Sequence, residues 1–176
     1  MFLVRILAAD QIVENIINTP ASAWLENQGI PFRLFIHLKN ILNLEQAALE
    51  RNQTTEQIIR SILFRLSKNE FILVVAAGTG QISWKALRSY LNTSRISLAN
   101  DQEVERITGA RPGAVSPFGL PGPVRILADP NIFNPDEVSM GSGVLGAAVI
   151  LTKCSLKQAL GNVEIVRLIY ERGEKK

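Results

Sequence analysis

The chain holds one histidine, His37, and one cysteine, Cys154, among its 176 residues. These are the side chains most used for nucleophilic and metal chemistry, and a zinc site of the Cys/His kind cannot be assembled from one of each. A Cys–His catalytic pair is open on composition alone, but Cys154 lies in ILTKCSLKQAL, where an apolar run meets a helix. There it reads as a small buried filler. His37 closes the alternating stretch PFRLFIH; it is either a surface or half-buried residue or one that lines a pocket. Arg60 and Arg65 sit in the apolar run IIRSILFRL. In a strand their odd spacing sends them to opposite faces, and each then needs a carboxylate, a ligand anion or solvent. No carboxylate pair suggests glycosidase chemistry; Asp136 and Glu137 follow Pro135 and read as first-turn helix charges. GSGVLG, residues 141–146, fits GxGxxG. The β-branched AAVILT that follows makes it a tight turn before a strand, not the strand-to-helix turn that a dinucleotide needs.

The densest chemical signal is the backbone of GARPGAVSPFGLPG, residues 109–122. Four of the eight prolines fall at Pro112, Pro117, Pro121 and Pro123. Proline fixes φ and glycine admits torsions closed to other residues. Such a loop can hold amide groups outward and unpaired, ready for a phosphate, a carboxylate or a developing oxyanion. A flexible linker would be polar and rich in Ser and Gly. Val115, Phe118 and Leu120 argue instead for a rigid, packed loop.

The elements that must position this loop are legible in outline. Thr19-Pro20 starts a helix, with a hydroxyl cap and Pro at the first helical position, and Gly29 stops it. PFRLFIH is a strand and LEQAALERN a short helix, and Thr54 and Thr55 cap another start. IIRSILFRL and FILVVAA, joined by SKNE, form a hairpin. Ser83 caps an amphipathic helix with Trp84, Leu87 and Leu91 on one face. RISLA is a short strand, and Asn100 or Asp101 opens a helix that ends at Gly109. After the Gly/Pro tract come the strands VRILAD and GVLGAAVILT, a helix capped by Ser155, and VEIVRLIY as a last strand. Interspersed strands and helices with a hairpin imply an α/β (α+β) fold in which helices pack on a mixed, largely antiparallel sheet. The length suits one domain over residues 1–176. Hydrophobic content of 47% with 20% charged residues excludes a disordered chain. A formal charge of +3 permits a polyanionic partner without demanding one. MFLVRILAAD is broken by Arg5 and reads as a packed strand or helix turn, not a signal peptide. No stretch reaches membrane-spanning length, and a single cysteine fits the cytoplasm.

In order and motif the chain resembles the insertion domain of bacterial prolyl-tRNA synthetases and its free-standing relatives, the YbaK-type aminoacyl-tRNA deacylases. WLENQGIPFRLFIH is similar to the family's opening helix, its GIP and its aromatic strand ending in His. TTEQIIRSILFR is similar to the capped EQI and the K-(S/T)-L-x-F strand. ISLANDQEVERITGARPGAVSPFGL matches the helix and Gly that lead to G-x-x-x-P-F-G-L, and MGSGVLGAAVILTKCSLKQALG looks like the Gly-rich close. The resemblance implies a curved, mixed sheet with flanking helices. It implies hydrolysis, in trans, of the ester joining a wrong amino acid to the 3′ end of tRNA, typically tRNA for proline carrying Ala or Cys, with no metal and no protein nucleophile. The backbone of Gly113, Ala114, Val115, Ser116 and Pro117 would position the ester, and Arg60 would hold the terminal phosphate. Phe35, His37, Ser61, Phe118 and Ser142 would line the pocket. Partners would be aminoacyl-tRNA and an aminoacyl-tRNA synthetase, with neither membrane nor DNA. Three positions depart from the pattern. Arg60 replaces a functional Lys and cannot shed a proton, Phe35 replaces a Tyr, and Ala147 and Ala148 stand where some relatives carry an acid. A protein that binds tRNA 3′ ends or a small anionic ligand without hydrolysis is the alternative.

Overall fold

The computed structural model describes residues 18–37, 41 and 43–169. The expected packed segment at residues 1–10 lies outside the described residues. Helix α1 (Pro20–Asn27) starts in a reciprocal cap: Thr19 Oγ1 accepts from the Ser22 amide at 3.1 Å, and Ser22 Oγ accepts from the Thr19 amide at 2.9 Å. Two orphan helix donors are thereby satisfied. Strand β1 (Arg33–Ile36) and helix α2 (Leu44–Glu50) follow. Strands β2 (Ile59–Arg65) and β3 (Phe71–Ala77) form the expected antiparallel hairpin, with Arg60 opposite Ala76 and Ser61 opposite Val75. Helix α3 (Trp84–Tyr90), strand β4 (Ser97–Leu98) and helix α4 (Asp101–Thr108) follow, the two helices capped by Ser83 and Asn100 as the sequence implies, and Gly109 ends α4 at φ +70°. Strands β5 (Arg125–Ala128), β6 (Glu137–Gly141) and β7 (Ala147–Thr152), helix α5 (Lys153–Leu160) and strand β8 (Glu164–Ile165) complete the order.

Two sheets result. One is antiparallel in the order β1-β7-β6; the other is β4-β2-β3-β5-β8, with β5 parallel to both β3 and β8. A bridge between Ile58 and Ser139 joins them. The fold is thus the mixed α/β architecture read from the sequence. The β2–β3 hairpin is buried on both faces. Phe64, Ile72, Val74 and Ala76 pack with Leu87 of α3, while Leu63, Leu73 and Phe71 pack with Val104 of α4 and with Ala114 and Val115 of the Gly/Pro tract. Ile59 and Val75 continue that second face into the core between α1, α5 and the three-stranded sheet.

Four local readings are corrected. Asp136 and Glu137 do not open a helix: the turn of 3-10 helix lies earlier, at Pro130–Phe133, and Glu137 begins β6. Val138, Ser139 and Met140 are all buried, so β6 lacks the alternation that would have revealed it. The cap of α5 is Thr152, whose hydroxyl accepts from the Ser155 amide at 3.1 Å, not Ser155 itself. That frame turns Ser155 and Leu156 inward and leaves Cys154 exposed, so Cys154 is no core filler. The closing strand is only two residues long because Asp129, wholly buried, takes the amides of Leu168 and Ile169 at 2.7 and 3.0 Å. Those donors are spent on a side chain instead of a ladder.

Candidate functional site

The Gly/Pro tract is a wall, not a linker. Residues 114–118 are all buried, and the loop is tied to the β6–β7 turn, which is itself tied to α1. Gly143 N–H donates to the Ala114 carbonyl at 2.8 Å, and the Ala21 amide at the start of α1 donates to the Ser142 carbonyl at 3.0 Å. Two glycines make the close approach workable. A Cβ on Gly141 would meet the carbonyl oxygens of Ala114 and Val115, and one on Gly119 (φ +71°) would meet the Pro20 carbonyl. The amides of Gly113, Val115 and Ser116 donate to no acceptor among the described residues.

This wall closes one side of a cavity of about 670 Å³. The start of β2, helix α2 and the β6–β7 turn supply the rest. Among the sequence-derived site residues, His37, Arg60, Ser61, Gly113 and Val115 line it. Ser61 lines the cavity with Ile58, Ile59 and Met140, and its Oγ is buried with no hydrogen-bond partner among the described residues. Arg60 behaves differently. Its guanidinium donates to the Gly80 carbonyl, its Nε is buried without a partner among the described residues, and burial lowers its pKa from the ordinary arginine value.

The other expected residues do structural tasks. Phe118 stacks on Trp24 with ring centroids 5.2 Å apart and is 3% exposed. Ser116 Oγ accepts from the Phe118 amide at 3.2 Å. Ser142 is fully buried and donates to the Ala147 carbonyl at 3.1 Å, closing the β6–β7 turn. Ala114 and Pro117 are buried within the loop. Phe35 meets His37 edge-on at 5.0 Å, and so abuts the cavity through that ring.

Sequence reasoning missed Arg51. It follows α2 in a stretch that reads as a solvated helix end, yet it lines the cavity and joins a half-buried chain of polar groups. Arg51 donates to His37 Nε2 from Nη2 at 2.8 Å and from Nε at 3.2 Å, and to Ser139 Oγ from Nη1 at 2.8 Å. An arginine can only donate, so His37 Nε2 is the acceptor and Nδ1 carries the proton, which it donates to Glu50 Oε2 at 2.7 Å. Ser139 in turn donates to Gln53 Oε1 at 2.6 Å, and Gln53 reaches Glu137 at 3.3 Å, beside Arg33 at 2.5 Å. The His37 side chain is 2% exposed. Burial lowers its pKa against the raising effect of the hydrogen bond to Glu50, and the Arg51 charge adds to the lowering. Burial also brings Arg51 down to about 10, still a cation at neutral pH. A neutral imidazole thus aims a guanidinium at the cavity. No cluster of metal ligands occurs among the described residues.

Comparison with known proteins gives these features a family. The aminoacyl-tRNA editing domain model matches residues 39–158. The multifunctional Ser/Thr-tRNA deacylase ProXp-y of Escherichia coli K12 is 29% identical over 133 residues, covering 73% of this chain and 79% of that protein. The proline–tRNA ligase of Brachyspira hyodysenteriae is 31% identical over 106 residues, 60% of this chain but only 18% of the ligase. Among solved structures, a candidate trans-editing enzyme for prolyl-tRNA synthetase superposes with a TM-score of 0.78 over 86% of this chain and 96% of its own, at 20% identity.

Proposed function

The chain belongs to the aminoacyl-tRNA editing domain family, and on that premise we propose that it hydrolyses the ester of a mischarged tRNA in trans, in the cytoplasm, on a tRNA of the proline type. The observation that carries the reading is the pinned loop. Gly113 and Val115, whose amides are unpaired among the described residues, line a cavity large enough for an aminoacyl group. Amides fixed before the reaction stabilise a developing oxyanion without reorganising. The attacking oxygen comes from water or from the terminal ribose, and no protein nucleophile is needed. Arg60 holds the terminal phosphate at the cavity's edge, where its charge tolerates no loss of a proton. His37 holds Arg51 in place.

The aminoacyl group we infer is a hydroxyl-bearing one. The E. coli relative is named for Ser and Thr, and Ser61 Oγ offers an unpaired hydroxyl among apolar neighbours. A buried polar group left unmatched costs about 1–3 kcal/mol, which sets a preference of roughly 10- to 100-fold over an apolar side chain of similar size. Release of amino acid from a panel of Ser-, Thr-, Ala- and Cys-charged tRNAs tests both statements. Ser or Thr released fastest, and the preference lost in Ser61→Ala, is the expected result. No tRNA hydrolysed above its spontaneous rate would overturn the deacylase. A second reading, binding without hydrolysis, draws on the bond between Arg60 and Gly80. It wins if Arg60→Lys hydrolyses a tRNA that the unaltered chain only binds.

A further inference from the structure

On the opposite face of β2 lies a second hollow, of about 800 Å³. Ile62 and Phe64 form its floor, Trp84, Lys85 and Arg88 of α3 one wall, and Leu98 of β4 its outer lip. The Trp84 ring stands edge-on to Phe64 at 5.4 Å and is 37% exposed, while Leu98 is 53% exposed. An indole and a leucine left to solvent over an apolar floor are unusual on a packed surface. The charges here are one-sided. Lys85 and Arg88 make no ion pair among the described residues. Residues 71–100 contain Lys85, Arg88 and Arg95 and no Asp or Glu. Arg60 lines this hollow as well as the cavity, so the two are contiguous through one side chain.

An exposed aromatic ring flanked by unpaired cations is the equipment for single-stranded nucleic acid: bases stack on the ring and phosphates meet the cations. Duplex recognition would need cations without the ring. An acidic protein segment would leave the indole without a flat partner. We propose that this groove binds the unpaired nucleotides preceding the terminal residue of the tRNA 3′ end, with Trp84 as the stacking platform and Lys85 and Arg88 as phosphate contacts. The proposal rests on the reading of the cavity as an ester-hydrolysing site. A strand whose terminal ester enters the cavity past Arg60 leaves its preceding nucleotides on the groove side of β2. Specificity for the wrong amino acid and affinity for the tRNA are then separate properties of the two faces of one strand.

The test uses the full chain and a fluorescently labelled RNA oligonucleotide carrying the unpaired 3′ tail of tRNA. Anisotropy titrations should show Trp84→Ala weakening binding about tenfold, the scale of one base stack, with Trp84→Phe recovering most of it. The Lys85→Ala/Arg88→Ala pair should flatten the slope of log affinity against log salt by roughly 1.4, about 0.7 for each phosphate no longer neutralised. In hydrolysis, these variants should raise KM for a mischarged tRNA. An aminoacyl-adenosine, which has the ester but no preceding nucleotides, should be hydrolysed as by the unaltered chain. Unchanged affinity and salt slope in the groove variants, or equal binding of a blunt RNA duplex, would overturn the proposal. If the unaltered chain hydrolyses neither ester, the deacylase reading falls, and the oligonucleotide titration still decides the groove.

Discussion

Ser61 and Arg60 are neighbours on β2 and open on two hollows built on different plans. On the cavity side polar groups are tied to one another. Glu50, His37, Arg51, Ser139 and Gln53 form a continuous chain of hydrogen bonds of 2.6–3.2 Å, and the loop at 113–117 is pinned to its neighbours. On the groove side Lys85 and Arg88 have no ionic partner among the described residues, and Trp84 is 37% exposed. The difference separates two ways of binding. A tied interior is already organised for a small group and gives little when that group is wrong, which suits discrimination. A free, cationic surface accepts a flexible polyanion, with an affinity set by salt.

The change expected to break the cavity side most severely is Gly141→Ala. The added methyl meets the backbone oxygens of Ala114 and Val115, the latter at 2.5 Å, and backbone cannot swing aside as a side-chain tip can. Overpacking of this kind costs about 1–3 kcal/mol. A loop displaced by about 1 Å costs on the order of 10²-fold in rate. Denaturant titration and hydrolysis per folded molecule measure the two separately. Next comes Arg51→Met, which keeps the stem's volume but leaves His37 Nε2 and Ser139 Oγ without donors. A loss of about 2 kcal/mol is expected. Lys85→Ala, its counterpart in the groove, should shift stability by less than about 0.5 kcal/mol. Equal losses at the two sites would erase the contrast.

The groove face and the cavity face were unequally legible in the sequence. Local signals carried the elements: Thr19-Pro20, Ser83 and Asn100 cap helices where hydroxyl and amide side chains lead, and the β2–β3 hairpin follows from two apolar runs around a polar turn. The odd spacing of Arg60 and Arg65 placed them correctly on opposite faces; Arg65 meets Ser97 and Glu103 while Arg60 reaches Gly80. Strand β6 escaped because it is buried on both faces, which removes period-two alternation. Arg51 escaped for another reason. Its partners lie at positions 37 and 139, and a cation after a short helix looks solvated until the tertiary fold brings an imidazole to it. Likewise, nothing local shows that Ser142 closes a turn instead of facing a ligand; both uses want a small hydroxyl in a Gly-rich stretch.

A smaller effect separates interior from surface by pH. His37 is held neutral, its folded pKa below the ordinary 6.5, so the unfolded chain binds its proton first as pH falls. Stability is full above pH 6.5 and declines as pH drops through the folded value. Protonation also places an N–H against the Arg51 guanidinium, removing its acceptor. Thermal melts of the unaltered chain should therefore weaken on acidification below about pH 6.5, and His37→Gln, which keeps an acceptor but does not titrate, should flatten that limb.

The smallest effect belongs to a surface group on neither face of β2. Glu164 takes two hydrogen bonds from Arg125, at 2.7 and 2.6 Å, and one from Tyr90 at 2.8 Å. Together they pull its carboxyl down to about 2 from 4.5. Its contribution is present above pH 4.5 and fades as pH falls toward 2, a window below that of His37. Glu164 is 38% exposed on its side chain, so salt screens this contribution, whereas the His37 side chain is 2% exposed and is screened far less. Melts of the unaltered chain and Glu164→Gln should differ slightly at low ionic strength and converge near 1 M salt, where the screening length is about 3 Å. The His37 limb should keep its shape at both salts. If salt erased the His37 limb too, the polar chain around Arg51 would be open to solvent, and the cavity would lose the tied character that sets it apart from the groove.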